Sequence, residues 1–258
     1  MRLTVLGAAA SHAAAGQACA GHLVEAGGVR LLLDCGNGVL ANAYRVIDPY
    51  TIDAVFVTHN HPDHYVDLYS LQSMLRYAPD GPRAAMRVFM PEGLFGRMQH
   101  LLSDRGAAEF REAFEVSVLK DGVSVQVGGI TVTPRLVEHT DPTFALVVAA
   151  DGVRLAYTSD TGCCERVREA VRGADLIVSE ATLPEAYADM SPHLTARQAG
   201  EVARQAGAGE LILVHVWPTN DRETMEREAS EAFGRRVRVA TELDVIDVSI
   251  MEVSSEIT

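Results

Sequence analysis

The sequence predicts an α/β protein built as a four-layer αββα sandwich, and three observations carry that expectation. Glycine pairs and Asp-Gly steps at Gly27-Gly28, Asp121-Gly122, Gly128-Gly129 and Asp151-Gly152 mark tight hairpin turns. Runs rich in β-branched residues flank them at 22–26, 29–34, 123–127, 130–137, 144–149 and 153–159. Helical periodicity appears instead at 39–47, 66–77, 93–103, 165–171, 195–206 and 221–233. Hairpins mixed with βα units in both halves of the chain call for two mixed sheets, each covered outside by helices. A doubly wound parallel sheet does not fit, because its strands need long crossovers rather than tight turns.

Taken in order, Leu3 to Leu6 open the chain as a strand. This apolar run is too short for the core of a secretory signal, and Gly7 breaks it at once. The segments 22–26 and 29–34 form a hairpin about Gly27-Gly28, and Ala54-Val55-Phe56-Val57 is a further apolar strand. Helix 195–206 begins with a capping box, Thr195 with Gln198, and Asn220 with Glu223 resembles another before helix 221–233. Leu211-Ile212-Leu213-Val214 is typical of the longest apolar runs, far short of the ~20 residues that span a bilayer. Repeats, low-complexity tracts and Pro/Ser-rich linkers are missing, so residues 1–258 are read as one domain.

Composition narrows the function classes. Hydrophobic residues make up 48% of the 258, which is ample for a packed core and argues against disorder. The net charge of −13 repels polyphosphate, so a general nucleic-acid-coating role and stable nucleic-acid binding are disfavoured. Lys120 is the only lysine among 22 cations, a skew that reads as genome composition. Cys19, Cys35, Cys163 and Cys164 are too few and too irregularly spaced for a disulfide framework, so the expected compartment is the cytoplasm.

Chemistry concentrates in His59-Asn60-His61-Pro62-Asp63-His64, directly after the strand 54–57. Ligands two apart on extended backbone project to one side, so His59 and His61 can grip one ion. Pro62 then turns the chain, letting Asp63 and His64 face a second position. Imidazole and carboxylate suit zinc, manganese or iron, and the lack of nearby thiols argues against a purely structural zinc site. Three distal residues also sit at strand ends: His139, Asp160 and His215. Singly, His139 could be a surface residue, Asp160 a helix cap before 165–171, and His215 a buried hydrogen-bonded side chain. What favours ligation is a family resemblance, in which their order and placement beside the first motif match a known pattern.

This pattern resembles the metallo-β-lactamase superfamily, whose αββα fold matches the architecture above. The likeness runs over nearly the whole chain. His59 to His64 resembles the family's metal signature, and Asp34-Cys35-Gly36 its early Asp-Gly segment. His139 stands where a third histidine is expected. Asp160 in Tyr157-Thr158-Ser159-Asp160-Thr161 stands for the bridging aspartate, and His215 for the last histidine. Ser179-Glu180-Ala181-Thr182 and His193-Leu194-Thr195-Ala196 are similar to the Glu-Ala-Thr and His-x-Thr segments of ribonuclease Z and related phosphodiesterases.

The resemblance implies two divalent ions, zinc first, with manganese or iron as alternatives. His59, His61 and His139 would hold one ion, Asp63, His64 and His215 the other, with Asp160 between them. A hydroxide shared by the pair would attack phosphorus. Asp63, His193 and Glu180 make up the catalytic set, with Asp63 orienting the nucleophile and His193 either hydrogen-bonding the phosphate or protonating the departing oxygen. One departure matters: ribonuclease Z carries a long arm between the third histidine and the bridging aspartate, whereas here 139–160 spans only a hairpin. The expected activity is therefore hydrolysis of a small cyclic nucleotide phosphodiester. The alternatives are tRNA 3′-end cleavage, hydrolysis of a non-phosphate ester, thioester or lactam, and a non-catalytic metal- or nucleotide-binding module. A homodimer is implied by the resemblance alone. His12 and His22 border the first loop as candidate substrate contacts, His100 reads as a helix-surface residue, and Cys163-Cys164 as small packing at a helix start.

Overall fold

Two seven-stranded sheets face each other in the computed structural model, which describes residues 1–188, 190 and 192–250. The first half of the chain supplies β1 (Arg2–Gly7), β2 (Gly21–Ala26), β3 (Val29–Leu33), α1 (Val39–Ala43), β4 (Ala54–Phe56) and α2 (Leu68–Arg76). β5 (Met86–Met90), α3 (Leu94–Gln99), α4 (Asp104–Ala113) and β6 (Phe114–Val118) complete that half. The second half supplies β7 (Val125–Val127), β8 (Ile130–Val137), β9 (Thr143–Ala150), β10 (Val153–Tyr157), α5 (Glu165–Ala170) and β11 (Leu176–Glu180). It continues through α6 (Ala196–Ala206), β12 (Glu210–Val214), α7 (Arg222–Phe233) and β13 (Arg238–Val239). A last strand, β14 (Val245–Asp247), returns to the first sheet. The strand orders are β14-β1-β2-β3-β4-β5-β6 and β13-β12-β11-β10-β9-β8-β7.

The alternation read from sequence decides which residue faces which layer. Leu31 and Leu33 of β3 join the core between the sheets with Leu155, Val178 and Val214, whereas Leu32 packs outward with Leu71 beneath the first helices. On the far side, Ile177 and Leu213 pack outward against Val202 of α6 and Phe233 of α7. The layers are thus helix, sheet, sheet, helix, as expected. At the β9–β10 turn, Asp151 and Gly152 both have positive φ, 52° and 78°, the backbone a two-residue hairpin demands.

Some boundaries differ from the sequence reading. The segment 93–103 shortens to α3, because Ser103 does not end that helix but starts the next: its hydroxyl accepts from the Gly106 N–H and caps α4. Helix 39–47 shortens to α1. Before α7 the cap is Asp221, which accepts from the Thr224 N–H, while Asn220 donates instead to the Thr182 carbonyl at 2.9 Å. At α6 the capping box of Thr195 and Gln198 forms as read. Among the described residues no helix is long and apolar enough to cross a membrane.

β3 and β4 run parallel, as do β10, β11 and β12, so their C-terminal ends gather at one edge. The close approach of two loops there depends on Gly36: a Cβ on it would lie 1.9 Å from the Asp63 carbonyl oxygen. Gly36→Ala must push the 62–64 turn away, so it is expected to cost about 1–3 kcal/mol of stability, measured by urea denaturation.

Candidate metal centre

Five of the strands that end at this edge hand over a polar residue. β4 leads through Thr58 to His59, β8 to His139, β10 to Ser159 and Asp160, β11 ends on Glu180, and β12 leads to His215. Pro62–His64 forms a short 3-10 turn that directs Asp63 and His64 inward. Two of these positions, Ser159 and His215, and two more on the neighbouring loops after β1 and β3, Ser11 and Asp34, are non-glycine residues in the left-handed region, with φ of 53°, 50°, 56° and 60°. Backbone strain held in such a ring is characteristic of functional sites.

The expected residues meet as two adjoining clusters. Donor atoms of His59, His61, His139 and Asp160 lie within 4.8 Å of one another, as do those of Asp63, His64 and His215. Asp160 belongs to both neighbourhoods. Its Oδ2 is 3.6 Å from His59 Nε2 and 3.8 Å from His139 Nε2, while its Oδ1 is 3.4 Å from both His64 Nε2 and His215 Nε2.

Hydrogen bonding behind the clusters fixes which imidazole nitrogen faces in. His64 Nδ1 donates to Asp34 Oδ2 at 2.8 Å and His139 Nδ1 to the Pro192 carbonyl at 3.0 Å; neither partner can donate. The Thr58 hydroxyl donates to Asp34, so His59 Nδ1 must donate to Thr58. Likewise the Thr182 hydroxyl donates to Glu180 Oε2, and His215 Nδ1 donates to Thr182 at 2.8 Å. All four rings therefore turn Nε2 lone pairs toward the centre, where His64 Nε2 and His215 Nε2 stand only 3.2 Å apart. His139 Nε2 and His61 Nδ1 face each other at 3.3 Å. Buried His59 Nε2 and Asp160 Oδ1 have no hydrogen-bond partner. Facing lone pairs and orphaned buried acceptors repel one another unless a cation lies between them, so this donor set fits divalent ions.

Without a cation, protons compete for the same lone pairs. Burial disfavours an imidazolium at His64, yet Asp160 and Asp34 beside it outweigh burial and hold its pKa well above the usual histidine value. Burial pushes both His59 and His139 down, with the His64 charge adding to it at His59. Asp160 is also buried, but the surrounding His215, His64 and His59 keep it well below the ordinary carboxylate range.

Glu180 and His193 stand beside both clusters. Glu180 is fully buried and accepts from the Thr161 N–H, the Thr182 hydroxyl and His193 Nδ1, the last at 2.9 Å. Burial works against charge on His193, whose side chain is 17% exposed, but the Glu180 carboxylate carries its pKa up to about 9.

Other sequence candidates fall elsewhere. His12 is exposed on the loop after β1. His22 corrects the expectation of a substrate contact: it is buried edge-on to Tyr157 at 4.8 Å, with both ring nitrogens unpartnered and its pKa pushed down by burial to about 3. His100 is exposed just past α3, and Cys163 and Cys164 are half-buried against the core under α5, outside both clusters. Of the supporting hydroxyls, Thr58 carries no mark in the sequence, while Tyr157 and Thr182 enter it only as members of the segments 157–161 and 179–182. Their signal is a hydroxyl at a strand end, which is common enough to carry little on its own.

Comparison with known proteins agrees with the geometry. The profile of the family described as "Beta-lactamase superfamily domain" matches residues 29–216. An uncharacterized protein of Mycobacterium tuberculosis is 34% identical over 240 residues, covering 90% of this chain and 87% of that one. The probable metallo-hydrolase YhfI of Bacillus subtilis is 27% identical over 253 residues, covering 93% and 97%. The crystal structure of that protein superposes with a TM-score of 0.84 at 24% identity, over 95% of this chain and 98% of its own. The short form of human tRNase Z superposes with a TM-score of 0.75 at 21% identity, over 97% and 100%. A diphosphatase of the PhnP family also scores 0.75, at 19% identity over 95% and 97%.

The Glu180–His193 pair makes a pH dependence that can be measured on the metal-free protein. In Glu180→Gln the His193 ring is expected to titrate well below the wild-type value of about 9, because burial then meets little opposition, read by NMR of its ring protons. Because the folded value is raised, the pair's stabilisation is complete below 6.5 and is lost as pH rises through about 9.

Proposed function

Since the chain belongs to the β-lactamase superfamily, matching its profile over residues 29–216, we propose that it is a metal-dependent phosphodiesterase acting on a small cyclic nucleotide. The observation that carries this reading is the division of Asp160, one oxygen toward each cluster, with His193 alongside. His59, His61 and His139 would hold one divalent ion and Asp63, His64 and His215 a second, with Asp160 shared between them. Zinc suits this donor set best, with manganese or iron as alternatives. When bound, such a pair supplies Lewis acidity to a phosphate and brings the pKa of water toward neutrality.

The chain's own residues account for the rest. Asp63, 13% exposed, orients the attacking water by accepting its hydrogen bond. His193 is tied through Nδ1 to Glu180, so its Nε2–H is the proton available to the departing oxygen. Glu180 keeps that ring charged near neutral pH. The reading of a small substrate draws on the stretch from His139 to Asp160, which holds little besides the β9–β10 hairpin. With a net charge of −13, the surface has few ways to neutralise the many phosphates of a tRNA. A cyclic mononucleotide carries one phosphate, which the two clusters and His193 can hold without help. The four free thiols favour a reducing, cytoplasmic setting.

Elemental analysis is expected to find two metal ions per chain, and one tightly held ion at full activity would sink the dinuclear reading. His193→Ala should keep both ions yet lose ~10²–10⁴ in kcat on bis(p-nitrophenyl) phosphate, whereas Asp160→Ala should lose metal as well. Substrate class is decided by kcat/KM for cyclic AMP beside cleavage of precursor tRNA, with zinc and then manganese. Efficient tRNA trimming without cyclic-nucleotide turnover would replace this reading with a tRNA 3′-end endonuclease.

A further inference from the structure

The loop after β1 gives no side chain to either cluster, yet its backbone reaches the second one. The Ser11 N–H donates to Asp63 Oδ2 at 2.9 Å. That same oxygen lies 3.3 Å from His215 Nε2 and 3.8 Å from His64 Nε2. The donor is firmly placed. Ala9 bridges both Cys19 and Val216, and the Ala10 N–H donates to the Val216 carbonyl at 3.1 Å, one residue beyond His215. Ser11 itself is exposed and adopts φ of 56°, a conformation that its Cβ resists and that no burial of its side chain repays. The peptide plane that carries the Ser11 N–H is held from the Ala10 side by the bond to Val216, and the positive φ turns the chain back just beyond it, where the His12 N–H donates to the Ala10 carbonyl.

Asp63 has reason to need such a donor. Its two oxygens are chemically equivalent, and a carboxylate left to rotate about its last torsion presents either one. A single N–H held on Oδ2 breaks that symmetry and keeps this oxygen beside His64 and His215. We infer that the Ser11 amide is a positioning group for Asp63, setting the affinity of the second ion separately from the first. The inference rests on Asp63 being a ligand, as in the function proposed above. Hydrogen bonds behind a ligand typically govern 10–100-fold in metal affinity, and a backbone amide does this without depending on which side chain occupies the position.

The test is stepwise zinc binding to the full-length protein, by competition with a chromophoric chelator, in three variants. Replacing serine 11 by its α-hydroxy acid turns the amide into an ester and deletes only the N–H. Ser11→Val keeps the N–H but resists positive φ, and Ser11→Gly accepts it freely. The ester and Ser11→Val are expected to weaken the second equivalent ~10–100-fold and leave the first unchanged, while Ser11→Gly behaves as wild type. Circular dichroism checks that each variant is folded, and the ester, which retains the serine side chain, stands if Ser11→Val does not fold. Equal weakening of both equivalents, or an ester that binds two ions as wild type does, overturns this inference alone. A wild-type protein that binds a single ion overturns the dinuclear reading and this inference together.

Discussion

A carboxylate with no exposure to solvent, Asp34, holds the candidate centre together. Burying a charge is costly unless donors surround it, and Asp34 has four: the Thr58 N–H and hydroxyl, His64 Nδ1 and the Tyr157 hydroxyl, all within 3.0 Å. Three of those donors come from the first half of the chain, but Tyr157 ends β10 of the opposite sheet. The carboxylate is therefore a polar tie across an otherwise apolar interface. Through His64 it orients the second cluster, and through Thr58, which His59 and Ser159 also contact, it orients the first. Each ring that must present Nε2 inward does so because an acceptor lies behind it.

Tight turns are the reason so much of the fold was legible in the sequence. Asp151-Gly152 and Gly27-Gly28 need positive φ, which few residues supply, so their positions pinned the hairpins and the alternation beside them fixed the faces. The segments that escaped notice lack such marks. β5 has Val88 as its only β-branched residue, and its neighbours in the sheet bury it whatever its propensity. α4 is a polar surface helix containing Gly106, so its existence depends on the Ser103 cap and on packing Phe110.

The site divides along the same line. His59, His61, Asp63 and His64 announce themselves by close spacing. His139, Asp160 and His215 could be placed only through their strand-end positions and the family pattern, and the structure brings all of them together. What no spacing could show is the outer layer of hydroxyls and backbone groups, because these partners are distant in sequence: Thr182 behind His215, and the Pro192 carbonyl behind His139. His22 illustrates the converse. Its neighbourhood in sequence suggested the site mouth, but the inward face of β2 carries it into the interface between the sheets.

The return of β14 to the edge of β1 has a kinetic consequence. Met1 and Val248 exchange backbone hydrogen bonds across a separation of 247 residues, and the Leu243 and Asp244 backbones bond to Val5. Closing so long a loop costs entropy before any contact repays it. Until that closure, β1 offers an unpaired edge, the kind of surface on which chains add to one another. The loop carrying Ser11 springs from that same strand, so the strand that seals the first sheet also carries the backbone group that reaches Asp63.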